Sequence, residues 1–138
     1  MANTYPLQVI TPQKVMLSEE VQLTIAPGSE GYLGVLVGHA PLMTSLLAGE
    51  VRATLADGRT TSHIVVSGGL MEVSRAGVVI LADQAERSDE IDVSRAETDL
   101  AEARRMLADV TPNTPEAKKV NASIQHAEAR IRAGRGIR

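Results

Sequence analysis

Three groups of residues in this chain have types and spacings that could do chemistry. The first is Gly38-His39-Ala40-Pro41, which places His39 in a glycine-flanked turn. A histidine works as a general base only with a substrate or nucleophile within hydrogen-bond reach. The chain holds no GxSxG or comparable nucleophile elbow. His39 therefore reads as a turn residue bonding its own loop. Gly31, Gly34 and Gly38 follow the pattern GxxGxxxG, which is not GxGxxG and lacks GK[ST]. They read as suppliers of positive φ or close packing, not as a phosphate cradle. The second group is Asp92 with Arg95. Asp92 stands where a helix should begin and can cap its free N–H groups. Arg95 would lie on the first turn, where a cation opposes the helix dipole unless a carboxylate or phosphate accompanies it. The third group is a basic end, Arg130, Arg132, Arg135 and Arg138, with no acid among them. By itself it reads as a solvated, flexible tail.

Composition removes several other chemistries. The 138 residues include no cysteine, tryptophan or phenylalanine, and only Tyr5 and Tyr32 as aromatics. Disulfides, thiol nucleophiles and cysteine metal sites are excluded. His39, His63 and His126 are far apart and form no HxH or HxxxH pair, so no metal site is expected. Without aromatic platforms, and with a formal net charge of -3, nucleic-acid binding is not expected. No apolar run approaches the roughly 20 residues of a membrane span, and the first residues resemble no targeting segment.

Two unlike halves must position these groups. Nine of the eleven glycines precede residue 78, and residues 88–138 are rich in Ala, Glu and Arg. The first half reads as short strands. Val21-Gln22-Leu23-Thr24-Ile25 alternates strictly and stops at Pro27-Gly28. Glu50 to Leu55 meets Asp57-Gly58, a hairpin signal, and Thr60 to Val66 pairs back with His63 facing outward. Ala76-Gly77 marks another hairpin. The second half reads as two helices. Ala96, Leu100, Ala103, Leu107 and Val110 form one stripe; Ala117, Val120, Ile124, Ala127 and Ile131 form the other. Thr114-Pro115 supplies a cap and a first helical residue, so the helices should form an antiparallel hairpin. Its alanine-rich seam makes the hairpin weakly held, an element able to dock and undock. The expected fold is a mostly β N-terminal sandwich over residues 1–87 and a helical hairpin over 88–138.

Three segments then carry a resemblance. Gly31-Tyr32-Leu33-Gly34-Val35-Leu36-Val37-Gly38-His39-Ala40-Pro41-Leu42 resembles the GxLGxxxGHxPL loop of the epsilon subunits of F-type ATP synthases. Val66-Ser67-Gly68-Gly69-Leu70-Met71-Glu72-Val73 is similar to their SGGxxEV signature, and Ile91-Asp92-Val93-Ser94-Arg95-Ala96 to the [IL]DxxRA motif of many bacterial members. Order and spacing agree, from Thr4 to Arg132. The resemblance implies a sandwich of about ten short strands followed by the hairpin. It implies a non-catalytic central-stalk subunit whose sandwich binds the gamma subunit and the ring of c subunits. Its partner loop would comprise Gly31, Tyr32, Leu33, Gly38, His39 and Leu42. The hairpin, folded on the sandwich, would permit ATP hydrolysis; extended toward the alpha and beta subunits, it would inhibit. The tail arginines Arg130, Arg132, Arg135 and Arg138 would then meet acidic beta-subunit surface.

No cofactor is required by this resemblance, but regulatory ATP is implied on the folded hairpin. Glu86, Ile91, Asp92, Arg95, Ala96 and Arg130 match the ligand positions. Arginine gives bidentate phosphate contacts, and a carboxylate can accept from adenine or ribose. Where strong binders have an arginine on each helix, this chain carries Glu102 and His126, so binding should be weak. The expected location is the cytoplasmic face of a bacterial inner membrane, with membrane contact only through the complex. Two other functions compete: a stand-alone ATP sensor whose hairpin closes on nucleotide, and a small hydrolase using His39, which lacks a nucleophile.

Overall fold

The structure is a computed structural model describing residues 3–137. Nine strands come first: β1 (Tyr5–Ile10), β2 (Val15–Gly28), β3 (Gly31–Leu36), β4 (Leu42–Leu46), β5 (Gly49–Leu55), β6 (Thr61–Val66), β7 (Gly69–Ser74), β8 (Gly77–Ala82) and β9 (Ala85–Arg87). A 3₁₀ turn at Ser88–Glu90 leads to α1 (Val93–Asp109) and α2 (Pro115–Gly134). Hydrogen-bonded neighbours run β1-β8-β7-β4-β2-β5-β6-β9, with β3 beside β2 and a further β1–β2 pairing.

β2 explains how the strands make a sandwich. Its first half pairs antiparallel with β1, from Val15↔Ile10 to Val21↔Tyr5. Its second half pairs with β3 and β5. The same 14-residue strand thus belongs to both layers. The resemblance implies about ten strands; nine are present because β2 does the work of two. β4 and β9 are not foreseen from sequence. β4 follows Pro41 inside the glycine motif, and β9 has only three residues, too few to show alternation.

The core is almost wholly aliphatic. Leu7, Ile64, Met71 and Ile80 are its largest fully buried side chains. Tyr5 is the one aromatic in it, and its hydroxyl bonds the Val35 carbonyl and the Thr24 hydroxyl, each at 2.7 Å. Burial pushes that hydroxyl above its ordinary pKa, because the phenolate would lose solvation.

Both helices start as their caps require. Asp92 accepts from the Arg95 N–H at 3.0 Å, and Thr114 from the Ala117 N–H at 3.1 Å. Ion pairs Glu97–Arg135, Asp99–Arg130 and Arg104–Glu128 ascend α1 while descending α2, so the helices are antiparallel. The seam departs from an even stripe. Ala96, Ala103, Ala117, Val120 and Ala127 are buried, while Leu100, Leu107, Ile124 and Ile131 are only half-buried. Alanines let the backbones approach, and the larger residues are left at the margins.

α2 also has a second buried face, which the stripe read from the sequence does not contain. Ala129 and Ala133 pack on Val65 of β6, with Ile91 alongside. At its end α2 closes tightly. The N–H of Ile137 bonds the Arg132 carbonyl at 2.9 Å and that of Gly136 bonds Ala133 at 3.0 Å, a Schellman cap with Gly136 at φ 72°. The end of the chain is therefore capped through Ile137 rather than freely flexible; Arg138 lies outside the described residues.

Candidate functional site

The chemistry-bearing side chains gather where the hairpin lies on the sandwich. Pairing of β6 with β9 sets Glu86 opposite Val65, so both face α2. Gly134 lets α2 come close to the start of α1: a Cβ there would lie 2.6 Å from Val93 Cγ2 and 3.2 Å from Ile91 Cγ2. Against the sandwich, Ala129 rests on Val65, and Arg130, next along the helix, reaches Glu86.

Arg130 is the centre of the cluster. Its side chain is only 15% exposed. Nε donates to Glu86 Oε1, and one terminal nitrogen donates to Asp99 Oδ2 at 3.3 Å. The other Asp99 oxygen accepts from Arg95 Nε at 3.1 Å. A single guanidinium thus joins β9, α2 and α1. Asp99 also supplies the anion that Arg95 needs on the first turn. Asp99 is absent from the sequence reading, although a carboxylate four residues after an arginine on a helix is a recognisable pairing signal.

The cluster borders a cavity of about 370 Å³ lined by Gln84, Ala85, Glu86, Asp99, His126 and Arg130. His126 lies one turn before Arg130. Burial is the main force holding its imidazole below the ordinary pKa; the Arg130 charge acts the same way, while Glu86 and Asp99 partly oppose it. Of the nucleotide candidates, Arg95 and Arg130 are linked through Asp99, and Glu86 pairs with Arg130 directly. Asp92 is turned to its cap, Ile91 packs under α2, and Ala96 is buried in the helix seam. Both arginines are occupied by carboxylates, so phosphate would have to displace Asp99.

A second polar cluster lies beneath the same helix and is not anticipated from sequence. Glu50 on β5 is 8% exposed, accepts from Ser88 Oγ at 2.7 Å, and lies 3.2 Å from His63 Nδ1. His63 is therefore half-buried against Glu50 instead of occupying the outward slot expected for it. Ser88 opens the turn between β9 and α1, so this bond fixes the junction of the two halves.

The remaining candidates lie elsewhere. Gly31 and Gly38 take positive φ, 121° and 83°; Gly34 does not, and a Cβ there would make only ordinary contact with Leu23. His39 Nδ1 is 2.7 Å from the Ala40 carbonyl oxygen, a bond within its own loop. Tyr32 is exposed, yet its hydroxyl accepts from the Glu50 N–H at 3.2 Å. Leu33 and Leu42 are half-buried against the core. Leu36, Val37 and Met43, in or next to the same segment of sequence, are exposed. Of the tail arginines, Arg132 is exposed, Arg135 pairs with Glu97 at 3.3 Å, and Arg130 is the clasp just described.

Residues 4–88 match the family model for the ATP synthase delta/epsilon chain β-sandwich domain, and residues 89–134 that for its long α-helix domain. The chain belongs to the ATP synthase delta/epsilon-chain family. Within that family it is similar to epsilon chains of bacteria. It is 44% identical to that of Moorella thermoacetica over 131 residues, covering 95% of this chain and 96% of the relative. It is 48% identical to that of Carboxydothermus hydrogenoformans over 112 residues, 81% and 82% of the two chains. A chain in the Euglena gracilis mitochondrial ATP synthase (OSCP/F1/c-ring) superposes with TM-score 0.78 at 25% identity, covering 92% of this chain and 79% of that one. A chain in the Tetrahymena thermophila mitochondrial ATP synthase central stalk and c-ring shares the fold, with TM-score 0.65 at 14% identity over 96% and 94%. No helix among the described residues is long and apolar enough to cross a membrane.

Proposed function

We propose that this chain is a non-catalytic rotor subunit of an F-type ATP synthase. It couples the c ring to the catalytic head and restrains ATP hydrolysis through its hairpin. The family, and relatives alike over nearly the whole chain, support the first part. The sandwich, residues 1–87, binds the gamma subunit and the c ring, with the Tyr32–Leu42 loop as one contact. The subunit sits peripherally on the cytoplasmic face of the membrane and reaches it only through the complex. It binds no nucleic acid.

One observation carries the regulatory part. The hairpin, residues 88–138, is fastened to the sandwich by alanines, by one clasp, Glu86–Arg130–Asp99, and at its hinge end by the Ser88–Glu50 bond. Small apolar contacts and an ion-pair chain whose carboxylates are partly open to solvent make an interface that can open without unfolding the sandwich. Open, the hairpin carries Arg132 and Arg135 to acidic beta-subunit surface. Regulatory ATP would enter at the same clasp and bind weakly, because Asp99 competes with its phosphates for Arg95 and Arg130.

The chain has no cysteine, so a designed crosslink is selective. Val65→Cys with Ala129→Cys joins packed positions on the two sides of the interface. Oxidised, this variant should bind the gamma subunit and fail to inhibit hydrolysis in the reconstituted complex; reduced, it should inhibit. Equal inhibition in both states would refute a mobile hairpin.

A further inference from the structure

The clasp contains a group that its ion pairs do not use. His126 sits beside Arg130 on α2 and lines an open cavity together with Glu86 and Gln84 from the sandwich and Asp99 from α1. A second hollow, on the side of the helix seam, places Glu102 and Asp99 of α1 around the same imidazole. We propose that His126 makes the clasp acid-sensitive, so that the hairpin leaves the sandwich more readily as the medium falls from neutral toward mild acidity. This rests on the reading of the hairpin as a mobile element and names a signal that moves it.

The argument is geometric first. The imidazole is half-buried only while α2 lies on β9 and against α1. It lies one helical turn from a guanidinium whose Nε and one terminal nitrogen are engaged by Glu86 and Asp99. A proton on His126 would place a second cation beside Arg130 on a half-buried side chain. Glu86 and Asp99 attract it, but both are engaged with arginine, and burial with Arg130 outweighs them. Glu102 on α1 is exposed and screened by solvent.

The sign follows from linkage. The docked hairpin holds His126 below its ordinary value, whereas the released helix leaves it near about 6.5. The open form therefore binds more protons, and docking is stronger at higher pH. Well above the free imidazole value the effect vanishes, since both forms are then neutral. It grows as pH falls below the free imidazole value, reaching at most about tenfold in the docked-to-open ratio one unit lower.

The full chain carrying Thr61→Cys on the sandwich and Lys119→Cys on α2, both exposed positions, accepts a pair of spin labels. Their distance distribution is measured from about pH 7.5 to about pH 5.5, a window that stops above the ordinary carboxylate range. The expected result is a shift from one short distance toward a second, longer population as pH falls. His126→Gln should remain docked throughout. Arg130→Gln, which removes the clasp, should show the long population already at the upper end of the range. A distribution that does not change with pH, while Arg130→Gln opens, overturns the proposal and leaves the mobile hairpin standing. An acid response kept by His126→Gln overturns it equally. If Arg130→Gln also stays closed at every pH, the mobile-hairpin reading fails and this proposal with it.

Discussion

The two halves of the molecule bury themselves with different side chains. The sandwich closes on Leu7, Ile64, Met71 and Ile80, each essentially inaccessible. Fully burying such a side chain contributes about 1.5–3 kcal/mol. The hairpin buries Ala96, Ala103, Ala117, Ala127, Ala129 and Ala133, with Val120 as its one larger fully packed residue. A methyl group removes far less apolar surface from water, and polar links make up the difference: Glu86–Arg130–Asp99 and the Ser88–Glu50 bond. Hydrophobic burial is non-directional and survives small movements, whereas an ion pair is lost once the partners separate. The same chain thus holds a body that stays folded and an arm that can leave it.

The largest expected effect breaks the stronger side of this comparison. Met71→Ala or Ile80→Ala in the sandwich should cost about 2–5 kcal/mol, the range for deleting a large core side chain. Ala127→Gly in the hairpin should cost only about 1 kcal/mol, mostly helix propensity. Urea unfolding, followed with probes placed separately in each half, would measure both. Equal losses would mean the hairpin is as tightly packed as the sandwich. A chain ending near Arg87 should likewise keep a cooperative transition.

The contrast between the halves was legible in the sequence, and the joint between them was not. The Asp57-Gly58 turn and the caps Asp92 and Thr114 are local signals, and local hydrogen bonding honours them. The alternation at Val21–Ile25 marks a strand but not its faces: the pairing with β5 shifts register between Val21 and Leu23, and Thr24 is fully buried, bonded to the Tyr5 hydroxyl. Val15–Glu20 escaped because its Ser18, Glu19 and Glu20 face solvent, hiding the first half of β2. The joint depends on residues remote in sequence: Glu86 with Arg130 and Glu50 with Ser88, 44 and 38 positions apart. A single chain carries no periodicity that reports such pairs. The second face of α2 escaped for another reason. Ala129 and Ala133 are too small to produce an apolar stripe, yet smallness is what admits Val65.

The clasp and the tail lie on one helix and should act in opposite directions. Arg130→Ala leaves Glu86 without its partner, which should weaken docking by about 1–3 kcal/mol. In the reconstituted complex it should therefore deepen inhibition of hydrolysis. Arg132→Ala with Arg135→Ala should relieve inhibition, since their exposed contacts hold the open arm to its acidic partner. Each such contact contributes about 0.2–1 kcal/mol, and salt should erase the difference. Steady-state hydrolysis at two ionic strengths separates the two outcomes. Inhibition moving the same way in both variants would mean that α2 works as one basic surface.

The junction offers a subtler comparison. Glu50→Gln keeps the shape of the buried side chain but weakens its bonds to Ser88 and His63, and about 1–2 kcal/mol of stability should go. Because Ser88 opens the turn into α1, the loss should appear in the hairpin as well as in β5 and β6. Hydrogen exchange across residues 85–96 is the measurement. Protection lost only within the sandwich would show that the cluster braces β5 and β6 and not the joint.

The smallest effect is a gain confined to the sandwich. Ser62 alternates with Ile64 and Val66 and so faces the core side of β6. Its hydroxyl oxygen is buried and finds no hydrogen-bond partner among the described residues. A buried unsatisfied hydroxyl costs about 1–3 kcal/mol of desolvation, part of which packing recovers. Ser62→Ala removes the polar atom and leaves a hole smaller than a methyl group. Stability should therefore rise by up to about 1 kcal/mol, read as a higher urea midpoint with unchanged slope. Because Ser62 touches neither the clasp nor the junction, spin-label distances to α2 should not change. A lower midpoint would mean that the hydroxyl is satisfied in solution, by water at the end of the strand, and that the sandwich is less dry at that edge than its aliphatic core implies.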